Sequence, residues 1–246
     1  MSCQPLWKEM VYNWLKFNQP CLLCDETTDT QNPICTPCET ELPWLVEHCL
    51  QCALPLPTTQ LTCGQCLKQP PPFTRVIAPW TYRFPVDSLI SRFKHNSKWP
   101  FGRLLAALLA QALQDRFNND LPRPDTLLPV PMTAKRFRQR GYNQAAMLAR
   151  WLSDSLDIPI DEQSLLRVKE TPAQQELDAK ARKRNLLQAF ALAPQARLEG
   201  RHVALVDDVL TTGATARIIS QLLLRSGARR VDIYCLARTP KPGEAV

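Results

Sequence analysis

Two adjacent carboxylates, Asp207 and Asp208, follow the apolar run Val203-Ala204-Leu205-Val206 and precede Val209-Leu210-Thr211-Thr212-Gly213-Ala214-Thr215. The run has the composition of a strand buried on both faces. Two carboxylates at the end of such a strand are costly to desolvate unless something binds them. The threonines add hydroxyls, and Gly213 lets backbone come close to a ligand. Ile218, Ile219, Leu222, Leu223 and Leu224 then recur at helical spacing. The turn therefore opens a helix, where free N–H groups and the helix dipole favour an anion. These residues together call for a ligand with a phosphate at one end and hydroxyls or a metal beside it. A Walker A loop is excluded, because no Gly-Lys-Ser/Thr follows the glycine. The plain alternative is a strand–turn–helix with a solvated acid pair.

The second chemical constellation is sulfur. Four Cys-x-x-Cys pairs begin at Cys21, Cys35, Cys49 and Cys63, each 14 residues after the last, and end at Cys24, Cys38, Cys52 and Cys66. Two-residue spacing turns both thiolates of a knuckle toward one ion, and two knuckles complete a closed tetrahedral zinc site. Short connections favour pairing in sequence, Cys21, Cys24, Cys35 and Cys38 around one zinc and Cys49, Cys52, Cys63 and Cys66 around another. Cross-brace pairing is the formal alternative. His48 is either a substitute ligand or simply an exposed side chain. So short a segment cannot build a sufficient core, and metal must supply much of its stability. Zinc removal is expected to unfold the region before Pro70 and leave the rest folded.

The remaining elements must position these groups. Leu6, Trp7, Met10, Val11, Trp14, Leu15 and Phe17 form a helical stripe that docks on the protein's own body or, less simply, on a membrane or partner. Gln69-Pro70-Pro71-Pro72-Phe73 is a stiff linker. Val76 to Tyr82 reads as a strand, Pro85 to Phe93 and Phe101 to Phe117 as helices, and Asp125 to Met132 as a second buried strand. That strand runs into a loop in which four of the six residues from Lys135 to Arg140 are basic. A basic loop at a strand's carboxyl end is where open α/β sheets place ligands. Asn143 to Leu156 reads as a helix, Leu165 to Val168 as a short strand and Val231 to Ala237 as the last strand, with Cys235 as a buried apolar residue. Between them, Lys169 to Asn185 is a mobile lid with a basic root or an exposed linker helix. Lys94, past the first helix, either faces an anion or is solvated.

Composition sets the bounds. The chain has 246 residues, 45% of them apolar, a net charge of +7 and a pI near 9.0. Such a balance favours polyanionic partners. No apolar run approaches membrane-spanning length, and Lys8, Glu9 and Lys16 interrupt any signal-peptide core. A cytoplasmic protein is expected, in which ten cysteines point to metal rather than disulfides.

The acid-pair loop closely resembles the signature of type I phosphoribosyltransferases. In that family the two acids hold the ribose hydroxyls of phosphoribosyl pyrophosphate (PRPP) and the turn cradles its 5′-phosphate. The resemblance gives the first role to Asp207 and Asp208, and the second to Thr211, Thr212, Gly213, Ala214 and Thr215. The whole order of motifs resembles the ComF/GntX family: zinc knuckles, then Gln139-Arg140-Gly141-Tyr142-Asn143-Gln144, then a Gln-rich lid with Arg182-Lys183-Arg184-Asn185-Leu186, then the PRPP loop. That family is linked to natural competence and to use of external DNA as a nutrient. It implies an α/β fold, an open parallel sheet with helices on both faces like that of type I phosphoribosyltransferases, preceded by a double zinc-ribbon module. The implied bounds are 1–20 for an N-terminal amphipathic helix, 21–69 for the double zinc ribbon and 73–240 for the phosphoribosyltransferase-like domain. Arg136, Arg140 and Asn143, with Gln174, Arg182 and Asn185 in the lid, become candidates for pyrophosphate or DNA phosphates. The implied cofactors are two structural Zn2+ ions and Mg2+ with PRPP.

Three functions compete on these grounds. The chain binds PRPP and serves DNA uptake or utilisation, contacting single-stranded DNA and the uptake machinery. Alternatively it is an active phosphoribosyltransferase with an unknown acceptor, or a PRPP sensor without chemistry. No acceptor-reading hood is recognisable, so no catalytic residue is assigned and enzyme status stays open. The cysteine repeat makes its own prediction: metal analysis of purified, reduced protein finds two zinc ions per chain, and one or none rules out the two-site arrangement.

Overall fold

The apolar run Val203–Val206 is completely buried and lies inside a parallel sheet. The computed structural model describes residues 19–58, 61–95, 98–169 and 188–241. The N-terminal stripe from Leu6 to Phe17 and the lid candidates Gln174, Arg182 and Asn185 lie outside the described residues. In chain order the elements are α1 (Thr36–Thr40), α2 (Gly64–Lys68), β1 (Arg75–Ile77), β2 (Trp80–Thr81), α3 (Val86–His95), α4 (Trp99–Asn118), β3 (Thr126–Pro129), α5 (Ala134–Arg140), α6 (Gln144–Leu156), β4 (Leu165–Arg167), β5 (Phe190–Leu192), β6 (His202–Leu210), α7 (Ala214–Arg225) and β7 (Arg230–Arg238).

The main sheet has the order β1-β7-β6-β3, with β2 also paired to β7, and every pairing in it is parallel. Parallel strands need cover on both faces, and alternate residues supply it. Ala204, Val206, Tyr234 and Leu236 point into one core with α4 and α6. Val203, Leu205, Val231 and Ile233 point into the other with α7. The connection after β3 thus leaves over one face and the connection after β6 over the opposite face. The pairing of β3 with β6 ends between them, at Pro129 and Val206, and the crevice beyond such carboxyl ends is where ligands enter open α/β sheets.

Three expectations are corrected. The strand from Val76 to Tyr82 is two short strands, interrupted at Ala78 and Pro79, because Pro79 has no N–H to give a ladder. The basic loop is a helix, α5: Thr133 caps its start by accepting from the Arg136 N–H at 3.2 Å, and Gly141, at φ +79°, ends it. The linker at Pro70–Phe73 is packed down, with Pro71 and Phe73 buried.

The cysteine module shares both cores. Cys21, Ile34, Cys35 and Leu42 join the α4 side, while Leu45, Cys49, Cys52, Leu54, Cys63 and Cys66 join the α7 side. Its backbone also borders the sheet: Leu45 N–H donates to the Pro79 carbonyl at 2.7 Å, Thr81 N–H donates to the Pro43 carbonyl at 2.9 Å, and the Trp44 and Trp80 rings lie 5.5 Å apart. Loss of metal therefore uncovers apolar side chains of the body as well, and the expectation of an untouched body is revised accordingly.

Phe93 fixes α3 against α4. It is fully buried, stacks near Tyr142 and Trp151, and lies where a Cβ on Gly102 would sit 2.5 Å from its ring. Gly102→Ala gains about 1 kcal/mol in helix propensity. It must also move a ring held on several sides, and such overpacking costs about 1–3 kcal/mol. The clash wins, and thermal melts show a lower Tm. A raised Tm shows that Phe93 has room to move.

Candidate functional site

Asp207 and Asp208 lie within β6, which continues to Leu210 rather than ending at Val206. They line a cleft of about 210 Å³ at the carboxyl ends of β3 and β6. Facing them are Lys94 from the end of α3, Arg136 and Arg140 from α5, Arg167 from β4 and Thr215 from α7. Lys94 Nζ lies 3.0 Å from Asp208 Oδ2, so its charge is directed at the acid pair and not into solvent. Asp207 Oδ1 accepts from the Asp208 N–H at 2.9 Å. Burial, then the neighbouring Asp208, push the Asp207 carboxyl up to about 7, against the opposing pull of Lys94 and Arg167.

The loop after the acids begins with Thr211 and Thr212, both exposed. Gly213 adopts φ +74°, a left-handed conformation that side chains resist, and leads directly into α7. The Ala214 N–H donates to Thr212 Oγ1 at 3.3 Å. Of Thr211 to Thr215, only Thr215 borders the cleft itself. Arg140 Nη1 donates to Gln144 Oε1 at 3.2 Å, which aims it along the cleft wall. Asn143 borders the cleft but is committed within the chain: its Oδ1 caps α6 through the Ala145 N–H, and its Nδ2 donates to the Val130 carbonyl at 3.0 Å. Arg167 had no sequence signal, because β4 is short and its partner β5 is far along the chain.

A larger cavity of about 660 Å³ adjoins, sharing Pro131, Met132, Asn143 and Arg167 with the cleft. Its other walls include Phe137, Tyr142 and Met147.

The cysteines form two tetrads in the sequential pairing, Cys21, Cys24, Cys35 and Cys38, and Cys49, Cys52, Cys63 and Cys66. Within each, all sulfurs lie within 4.8 Å of one another. Four sulfurs at about 2.3 Å from a tetrahedral zinc stand about 3.8 Å apart. The Cys24–Cys35 and Cys52–Cys63 separations are both 3.7 Å, so the tetrads fit zinc. The Leu23 and Cys63 N–H groups donate to Cys21 and Cys49 sulfurs. Burial disfavours the thiolates, but such backbone donors bring Cys21 and Cys49 down to about 7. His48 stands outside both tetrads, its Nδ1 3.0 Å from the Val46 carbonyl. Cys235 is buried in β7 as an apolar residue.

Fold and centres together define a parallel α/β protein with an acid-pair cleft and a cysteine-rich, zinc-binding module. Residues 13–67 match the family described as double zinc ribbon domain. The chain is 40% identical over 207 residues to DNA utilization protein YhgH of Salmonella typhi, covering 84% of this chain and 90% of that protein. It is 38% identical over 225 residues to competence protein F of Haemophilus influenzae, covering 90% and 98%. Competence protein ComFC of Bacillus subtilis is 25% identical over 244 residues, covering 89% and 95%. The chain belongs to this family of DNA utilization and competence proteins. Among solved structures, Trypanosoma cruzi hypoxanthine phosphoribosyl transferase aligns at 17% identity over 57% of this chain and 74% of that one, with a TM-score of 0.38, too low to bear on function. Among the described residues, no helix is long and apolar enough to cross a membrane.

The acid pair sets a pH dependence. An unfolded aspartate ionises near pH 4. In the fold Asp207 holds its proton to about pH 7. Between those values the folded chain binds more protons, so stability falls as pH rises. From pH 6 to 8 the ligand-free protein loses on the order of 1 kcal/mol through this group, a few degrees in Tm. Asp207→Asn removes that component, and parallel pH profiles for the two proteins count against the assignment.

Proposed function

We propose that this chain binds PRPP with Mg2+ in the acid-pair cleft and serves the use of DNA taken up from outside, contacting single-stranded DNA beside that cleft. The observation that carries the reading is the convergence of two carboxylates on β6 with cations from three separate elements, α3, α5 and β4. In this reading Asp207 and Asp208 accept hydrogen bonds from the ribose 2′- and 3′-hydroxyls. Thr211 to Thr215 and the start of α7 receive the 5′-phosphate, with the dipole assisting. Arg136, Arg140 and Lys94 would hold the pyrophosphate end, and Mg2+ accompanying PRPP would supply further positive charge there. Lys94 then exchanges Asp208 for a phosphate oxygen. The names of the relatives, DNA utilization and competence proteins, support the cellular setting.

Helix α5 supports the nucleic-acid contact. Lys135, Arg136 and Arg138 are exposed, and between them Phe137 is 50% exposed. Basic groups that follow a backbone, interleaved with an aromatic ring that stacks on bases, suit single strands without sequence preference. A second reading, phosphoribosyl transfer, is favoured by the adjoining 660 Å³ cavity with its aromatic walls, which offers an acceptor a place beside the ribose site. Release of pyrophosphate in a screen of acceptors separates it from the first.

Calorimetry with PRPP and Mg2+ tests the central assignment. Asp207→Asn and Asp208→Asn keep size but lose the charge that strengthens a hydrogen bond, which costs about 1.5–3 kcal/mol, or roughly ten- to a hundredfold in affinity. Both variants remain folded by thermal melt. Wild type that ignores PRPP, or Asn variants that bind like wild type, overturn the reading.

Single-strand affinity is measured separately against salt. Arg136→Ala and Arg138→Ala each reduce the slope of log affinity on log salt by about 0.7. Unchanged slopes remove α5 from the DNA contact.

A further inference from the structure

Arg238 ends β7 and is only 6% exposed. Its Nε donates to the Cys52 carbonyl at 2.9 Å. Its Nη1 donates to the carbonyls of Leu210 at 3.0 Å, Thr239 at 2.7 Å, and Thr211. Every acceptor is backbone, and among the described residues no carboxylate pairs with this guanidinium. A buried charge so placed is costly, and a fork of fixed donors is needed to satisfy it. One planar group therefore ties a knuckle of the second cysteine tetrad to the start of the loop after the acid pair.

The consequence lies in the peptide planes. A trans peptide directs its N–H opposite to its carbonyl. The Leu210 carbonyl accepts from the Thr239 N–H at 3.0 Å as well as from Arg238, so ladder and guanidinium together turn the Thr211 N–H the other way, while the Thr211 carbonyl, held by Arg238, turns the Thr212 N–H away from that side chain. On the other side, the Cys52 carbonyl belongs to the turn in which Ala53, at φ +53°, donates to the Cys49 carbonyl at 2.9 Å. The same guanidinium thus orients the Thr212 donor, helps the ladder hold that of Thr211, and braces the turn that presents Cys49 and Cys52.

We propose that Arg238 is a positioning residue that couples the second zinc site to the phosphate loop, so that zinc at Cys49, Cys52, Cys63 and Cys66 and phosphate at Thr211 to Thr215 strengthen each other's hold. The proposal rests on the reading that this loop takes the phosphate of PRPP. Coupling of two equilibria is reciprocal, so ligand at the loop slows the loss of zinc from the second tetrad. The first tetrad packs in the core on the opposite face of the sheet and is the internal control.

The experiment uses the full-length zinc-loaded protein, a chelator selective for zinc over magnesium, and a thiol-alkylating reagent, with labelling read peptide by peptide by mass spectrometry. Calorimetry on the same preparation establishes whether PRPP and Mg2+ bind. With PRPP present, labelling of Cys52 and Cys63 slows by about fivefold or more, while Cys24 and Cys38 label at their former rates. Arg238→Lys keeps the charge but not the fork; its PRPP affinity falls about tenfold and the protection at Cys52 and Cys63 disappears. A protein that does not bind PRPP overturns the functional reading and the coupling together. One that binds PRPP while neither tetrad is protected, or while both are protected alike, overturns the coupling alone. Protection retained in Arg238→Lys removes Arg238 as the link. If that variant does not fold, the wild-type comparison of the two tetrads decides.

Discussion

Two carboxylates stand side by side where a buried strand loses its neighbour. β3 pairs with β6 only as far as Val206, and the last bond between them is the Val130 N–H to the Val206 carbonyl at 2.9 Å. Pairing with β7 continues to Leu210. Asp207 is therefore the first residue of β6 with an open flank toward β3. The strand stays rigid because one ladder continues, while the other side opens into a cleft. Acids inside the doubly paired part of the strand would be buried without partners, and acids beyond Leu210 would be off the ladder, on the exposed turn at Thr211 and Thr212. The position between is the one at which both charges are held still and remain reachable.

The rest of the site answers that concentration of charge. Asp208 has Lys94 at 3.0 Å, whereas Asp207 retains its proton to about pH 7. The pair thus carries less than two full negative charges until something cationic or hydrogen-bond-donating arrives. The ligand proposed for this cleft, with hydroxyls and a magnesium-bound pyrophosphate, would meet both needs: its hydroxyls would donate to the carboxylates and its phosphates would draw Lys94 and the arginines. Opposite departure of the helices after β3 and β6 leaves room for it, and α5, which follows β3, lines the cleft with Arg136 and Arg140.

Much of this was legible from residue spacing. The acids and cysteines announce themselves because their chemistry depends on neighbours in sequence: two acids together, two sulfurs three positions apart, a glycine at a turn. The helix α5 was legible too, from Thr133 before it and Gly141 after it, but a dense run of basic residues reads as a loop when those two punctuation residues are passed over. Arg167, Lys94 and Arg238 belong to another kind. Each acts through a partner remote in the chain, Arg167 across the cleft, Lys94 on Asp208 and Arg238 on Cys52. No local pattern marks Arg167 or Arg238, and its place past a helix left Lys94 open between an anion and solvent, because the fold alone brings them to their partners.

The zinc module shows the same dependence in reverse. Its two tetrads fall on opposite faces of the sheet, the first among α4-side residues and the second among α7-side residues. The chain between them crosses the sheet's border at Pro43 to Leu45, where it bonds to Pro79 and Thr81. A border strand as short as β2 has two residues, too few to protect an edge by itself. The module supplies that protection, and metal holds the module in shape where apolar side chains are too few to do so. The cysteines are thus part of what closes the sheet. Arg238 extends that closure from the sheet's border to the loop after the acid pair, and the proposed coupling makes the second metal site, not the first, a neighbour in energy of a cleft it does not touch.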